Sequence, residues 1–208
     1  MNPAFLLFWG KAQPIDPAGP AFHPLLAHML DVAAVAEHLA QAVPGRTELP
    51  LATLAFLVAL HDIGKVSRPF QAKVPACWPA AALGPLSAPP ADPGHDAVGL
   101  FLLREGRTSE LLDAVLPGWT DGHRAHLLRA VTGHHGKPPD ELDRLSPGVL
   151  PMGSVMCAEE VLRALMAVFE PPPVPRPAME RDIVRLAWAL AGLTTLADWI
   201  GSAQRSEE

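Results

Sequence analysis

Residues 50–65 read PLATLAFLVALHDIGK, and the order of these letters sets the class of fold. Residues 50–60 are nearly all apolar, with no alternation and no turn residue after Pro50, so the pattern predicts a central helix buried on all sides. His61-Asp62 follows at once, then Ile63-Gly64-Lys65. An imidazole and a carboxylate at the end of the most apolar segment carry a desolvation cost unless something satisfies them. Successive helix residues diverge by about 100°, so the two side chains can address two different points.

Moving outward, the same helical periodicity recurs. Residues 24–42 place His28, Val32, Val35 and Leu39 on one stripe. Helices are predicted over 94–104, where His95, Gly99 and Leu102 share a face and Asp96 favours the start electrostatically. Further helices are predicted over 109–116, 123–134, 154–169 and 179–201, with Gly136 as the stop of the second of these. In the last helix Leu190, Thr194 and Asp198 follow at four-residue steps. Clean alternation and Asn-Gly hairpins are absent, so the expected fold is all-α, a single helical domain over residues 1–208. Many of the 24 prolines fall in 66–93 and 171–177, which read as connecting loops because proline lacks the donor a helix interior needs. The first of these is long enough to be a functional element.

Composition narrows the function. With 49% hydrophobic and 18% charged residues, a large core is available and the composition argues against disorder. A net charge of −6 weakens the case for a broad nucleic-acid footprint, which reads as a basic face. Cys77 and Cys157 match no CxxC spacing and are expected as buried or idle thiols in a reducing cytoplasm. Runs of the roughly 18–20 apolar residues of a membrane span are not found, and the N-terminus lacks the basic region and cleavage site of a signal peptide.

Five of the nine histidines, His28, His61, His95, His134 and His135, join Asp62 and Asp198 as candidate metal ligands on five segments. Imidazole and carboxylate together suit first-row transition metals. His28 taken alone reads first as a core histidine bonded to a carbonyl, and His95 reads equally as a cap or an exposed ring. His134-His135, two adjacent rings between glycines, are poorly explained by packing. Asp198 is the sole acid in LAWALAGLTTLADWIGS (186–202), with no basic residue near it on its face, and a lone buried carboxylate is costly unless paired or metal-bound. His23, His38, His123 and His126 lack comparable context.

His28, His61-Asp62 and Asp198 together resemble the H…HD…D signature of the HD-domain phosphohydrolase superfamily. HPLLAHMLDVAAVAEHL (23–39), LVALHDIGKVSRPFQAK (57–73), GHH (133–135) and LADWIGS (196–202) are similar, in order and in spacing, to the HD nuclease domain of the CRISPR type I effector nuclease-helicase. The likeness runs from about Trp9-Gly10-Lys11 to Ser202. It implies a helical nuclease using two divalent transition-metal ions, of the Fe, Mn, Co or Ni class, to degrade the single-stranded DNA displaced by an RNA-guided surveillance complex. It assigns one ion to His28, His61, Asp62 and Asp198, and the other to Asp62 as bridge with His95, His134 and His135. Asp62 and Lys65 are the catalytic candidates, with Lys65 near the scissile phosphate. The family's helicase partner carries Walker motifs, and GxxxxGK[ST] is absent here, so no helicase domain is expected within the chain. Trp9, Phe70, Trp78 and Trp119 are candidates for stacking bases by loop position only, and core packing is the favoured reading of each. An HD phosphohydrolase acting on nucleotides or cyclic nucleotides is the alternative activity, and a non-catalytic HD module is a third possibility.

Overall fold

In a computed structural model that describes residues 4–12, 22–42 and 48–203, the apolar run becomes α2 (Leu51–Ala59), in which every residue from Thr53 to Ala59 is buried. Its continuation is tighter than a regular helix. Leu60–Val66 forms a 3-10 helix, in which side chains at i and i+3 eclipse. Asp62 and Lys65 therefore stand on one side, three residues apart. The turn is fastened from outside by Ser154, whose hydroxyl donates to the Val66 carbonyl at 2.6 Å.

Around α2 and this turn lie the other long helices: α1 (Leu25–Ala42), α5 (His95–Arg104), α7 (Asp121–Thr132), α8 (Met152–Phe169) and α9 (Glu180–Ala203). α1 packs on α2 and α9, α9 also packs on α7, and α5 lies against the 3-10 turn. Leu25, Met29, Val32 and Ala36 make the inner stripe of α1, with His28 buried beside them. The α5 contact is unusually close. A Cβ on Gly64 would lie 1.8 Å from the His95 carbonyl oxygen and 2.4 Å from the Gly99 nitrogen, so only glycine lets the two backbones meet.

Several sequence expectations are corrected. The stretch 66–93 is not a structureless loop: it holds α3 (Arg68–Gln71), a 3-10 turn (Pro75–Cys77) and α4 (Ala80–Leu83). Ser67 caps α3 by accepting from the Phe70 amide, a local signal that outweighs Pro69 because proline is tolerated in a first turn. The helix expected at 109–116 is α6 (Gly106–Asp113). α7 starts two residues earlier than expected, with Thr120 accepting from the His123 amide. It also ends at Thr132, capped by Gly133, so His134-His135 sit in the turn beyond it and Gly136, at φ +87°, belongs to that turn.

Two short strands were not expected. β1 (Trp9–Lys11) pairs antiparallel with β2 (His23–Pro24), too short a ladder to leave a period in the sequence. α9 is long and apolar enough to cross a membrane by length and composition only; its longest run without a charged residue, 186–197, stays short of a span, as expected. Its Ile183, Leu190, Thr194 and Ala197 are buried. The helix lies against α1, where Gly201 would meet Val32 if it carried a Cβ.

Candidate metal centre

The 3-10 turn delivers His61 and Asp62 to the middle of the molecule, where both are fully buried. α1 brings His28 to one side of the Asp62 carboxylate. His28 Nε2 lies 2.9 Å and His61 Nε2 3.3 Å from Asp62 Oδ2. α9 adds Asp198 on that side, its Oδ1 3.7 Å from His28 Nε2 and 3.8 Å from His61 Nε2. Ser202, one turn on, donates to the same Asp198 oxygen at 3.0 Å.

The other carboxylate oxygen faces the remaining histidines. Oδ1 of Asp62 is 3.3 Å from His95 Nε2 and 3.5 Å from His134 Nε2. His135 Nε2 stands 3.0 Å from His95 Nε2. All seven candidate ligands of the sequence reading thus converge on one place. They fall into overlapping groups that could hold a metal ion: His28, His61 and Asp198; His61, Asp62 and His134; His95, His134 and His135. Lys65 Nζ closes the ring at 2.5 Å from Asp62 Oδ2 and 3.3 Å from the Gly10 carbonyl, to which it donates.

The donor set fits a metal on its own terms. His61 Nδ1 contacts the Val58 carbonyl at 3.1 Å, so Nδ1 carries the proton and Nε2 points its lone pair into the cluster. His28 Nε2, His61 Nε2, His134 Nδ1 and both Asp62 oxygens are buried and form no hydrogen bond of acceptable geometry. Buried polar atoms are ordinarily bonded, so this many in one cluster calls for a cation as the missing partner.

Electrostatics follow from burial. Desolvation works to raise the Asp62 carboxyl, but the Lys65 ammonium, His61 and the facing His28 ring hold it well below the usual carboxylate range. Burial lowers His28 against the pull of Asp62. Burial likewise takes His134 down to about 4, and burial together with His95 lowers His135. Neutral rings around an ionised carboxylate are the protonation state that metal binding requires.

The sequence reading left out two neighbours. His23, on β2, is buried and contacts Asp31 Oδ2 at 2.7 Å, its ring 6.3 Å from that of His28. Gln71 is fully buried in α3 and touches both β1 and the 3-10 turn. Their only signal in the sequence was proximity to stronger motifs. Core packing, the favoured reading of the stacking candidates, holds for Trp9, Phe70 and Trp119, while Trp78 is half-buried with its indole N–H on the Gly84 carbonyl. The well-exposed tryptophans are Trp188 (75%) and Trp199 (67%), both on α9.

Residues 9–206 match the family described as Cas3, HD domain. The chain belongs to that family. It is 31% identical, over 94% of its length, to the CRISPR-associated endonuclease/helicase Cas3 of Escherichia coli strain K12, and the match covers 25% of that protein. A third of the chain is 47% identical to 8% of the protein of the same name from Thermus thermophilus. The crystal structure of the Thermus thermophilus Cas3 HD domain in the presence of Ni2+ superposes with a TM-score of 0.59 at 29% identity, covering 96% of this chain and 77% of that one. The Cas3 HD chain described here thus spans about a quarter of the Escherichia coli relative.

Proposed function

We propose that this Cas3 HD domain is a metal-dependent phosphodiesterase that cuts single-stranded DNA in the cytoplasm. It acts in CRISPR interference beside a helicase and an RNA-guided surveillance complex. The observation that carries the reading is the buried Asp62 carboxylate with imidazoles aimed at each of its oxygens and left without hydrogen bonds. His28, His61, Asp62 and Asp198 would hold one ion, and Asp62, His95, His134 and His135 a second. Divalent ions held there lower the pKa of water and offset the charge of a phosphodiester. The presence of Ni2+ with the Thermus relative supports an ion of the late transition series.

The chain's own residues do the rest. Val58 fixes the tautomer of His61, and Ser202 orients Asp198. Lys65, at 13% exposure, stands where its ammonium can meet a non-bridging phosphate oxygen. His95, His135 and Asp198 are the ligands that solvent reaches, so a substrate enters on their side.

The test is cleavage of circular single-stranded DNA by chelated protein resupplied with Mn2+, Fe2+, Co2+ or Ni2+, alongside a panel of nucleotides and cyclic nucleotides. Metal-dependent cleavage of the DNA is expected, and Asp62→Ala is expected to retain less than about a tenth of the rate. Turnover of the nucleotides in place of DNA, or an Asp62→Ala protein as active as its parent, would overturn the reading.

A further inference from the structure

We infer that Gln71 is a positioning residue for Lys65: its buried amide ties the strap Trp9–Lys11 to the 3-10 turn and so fixes where the ammonium stands. The inference rests on the phosphodiesterase reading for its consequence, but its geometry stands apart. Gln71 Nε2 donates to the Trp9 carbonyl at 3.0 Å and to the Lys65 carbonyl at 2.8 Å, while Oε1 accepts from the Trp9 amide at 3.2 Å. The Trp9 indole N–H donates back to the Gln71 carbonyl at 3.2 Å. Both donors and the acceptor of the amide are thus used on main-chain groups, which is how a neighbouring strand would treat Trp9.

β1 needs such a partner. Its ladder with β2 is two residues deep and loses register between Trp9 and Lys11. Gly10 must also lie close to α1, since a Cβ there would sit 2.9 Å from the Leu25 Cα and 3.0 Å from the His28 Cβ. Once the strap is pinned, the Gly10 carbonyl accepts from Lys65 Nζ at 3.3 Å on one side while Asp62 Oδ2 stands at 2.5 Å on the other. An ammonium has three N–H groups. One donates to the Gly10 carbonyl, and Asp62 is met as an ion pair without a formed hydrogen bond, so N–H groups remain for an incoming anion. Phe70, the residue before Gln71, stacks on Trp9 at 4.6 Å and lies under the ammonium at 5.4 Å, so the segment that holds the strap also walls the lysine. Without Gln71 the strap is free to lift, the Gly10 carbonyl leaves, and Lys65 swings on its flexible four-carbon stem.

A double-mutant cycle separates positioning from packing, because a residue that acts through Lys65 has nothing to act through once Lys65 is gone. Gln71→Met keeps the volume and removes the amide. It is expected to lower single-turnover cleavage about tenfold or more in the parent and to change the slow rate of Lys65→Ala by less than about twofold. If Gln71→Met does not fold, Gln71→Asn, which keeps the amide one methylene short, replaces it in the cycle. The second arm needs neither metal nor DNA. In chelated protein, isotopic reductive methylation read by mass spectrometry is expected to label Lys65 about tenfold faster in the Gln71 variant than in the parent, with Lys73 and Lys137 unchanged. Equal fractional losses in both backgrounds, or unchanged Lys65 labelling, would overturn the inference. Absence of cleavage by the parent would instead sink the phosphodiesterase reading, and the labelling arm alone would then decide on Gln71.

Discussion

Asp62 and His134 show how one buried cluster sets opposite demands on its members. Asp62 stays ionised at the centre because the Lys65 ammonium and the rings beside it outweigh the desolvation that would protonate it. His134 stays neutral because burial outweighs the attraction of Asp62, giving about 4 against an ordinary 6.5. The consequence for metal-free protein has a definite sign. A depressed histidine contributes stability that is full above its unfolded value near 6.5 and is lost as pH falls toward 4. For His134 the size is about 3 kcal/mol. His28 and His135, also lowered, act in the same direction. Asp62, lowered from 3.8, withdraws its share only at more acid pH. The melting temperature of chelated protein is therefore expected to fall steadily from about pH 6.5 to about pH 4, and His134→Leu to flatten part of that fall. A parent profile that stays level over that range would show that the rings are not held neutral by burial.

At the scale of elements, the crossing of the 3-10 turn with α5 carries His95 to Asp62, and it depends on Gly64. Alanine there would drive a methyl into the His95 carbonyl at 1.8 Å, contact with main chain that cannot rotate away. Gly64→Ala is expected to cost about 2–4 kcal/mol and to cut metal affinity, because α5 must back off with His95. Gly192→Ala is the control: an exposed helical glycine with nothing within 4 Å of the added Cβ, where substitution is expected to be neutral or to stabilise by up to about 1 kcal/mol. Denaturant midpoints of the two variants check both signs, and equal midpoints would contradict the crossing's role. The same elements show what the sequence could disclose. His61-Asp62 was legible because a polar doublet ending an apolar helix has few bland explanations, and Asp198 because it is a lone acid in a long apolar run. The tightening of 60–66 to a 3-10 helix was not, since helical periodicities differ little over so short a stretch. Nor was β1, where three residues carry no period and the partner of Trp9 is a side chain 62 positions away. Loop position alone could not mark a stacking surface, and core packing was the better reading of the aromatics it pointed to. Trp9 and Trp119 are core, while Trp188 and Trp199 emerge on the open face of α9.

For the molecule as a whole, the proposed action on DNA turns on charge and access together. The net charge is −6, and five of the 16 basic residues are answered by carboxylates: Arg104 and Arg129 by Glu141, Arg124 by Asp113 and Asp121, Arg163 by Glu159, and Lys73 by Asp92. Acids outnumber bases over the whole chain, so weak binding to a duplex backbone is expected. The cluster is also sunk. His28, His61, Asp62 and His134 are buried, Lys65, His95 and Asp198 show only 13–16% of their side chains, and His135 is exposed at the rim. A stiff duplex cannot bend a phosphate down to such a carboxylate, whereas a flexible single strand can thread one in. The isolated chain is therefore expected to cut single-stranded DNA and to act on blunt duplex at least about tenfold more slowly. Its affinity for single strands is expected to fall with salt at a slope no steeper than about −2, the loss of roughly two or three phosphate contacts. Rates measured on the two substrates at one salt concentration, with affinity followed across a salt series, check both statements. Equal rates on duplex and single strand would mean that the approach to Asp62 is wider than the burial of its neighbours allows. A slope several-fold steeper would mean that the basic residues gather more phosphates than the acidic balance of the chain allows.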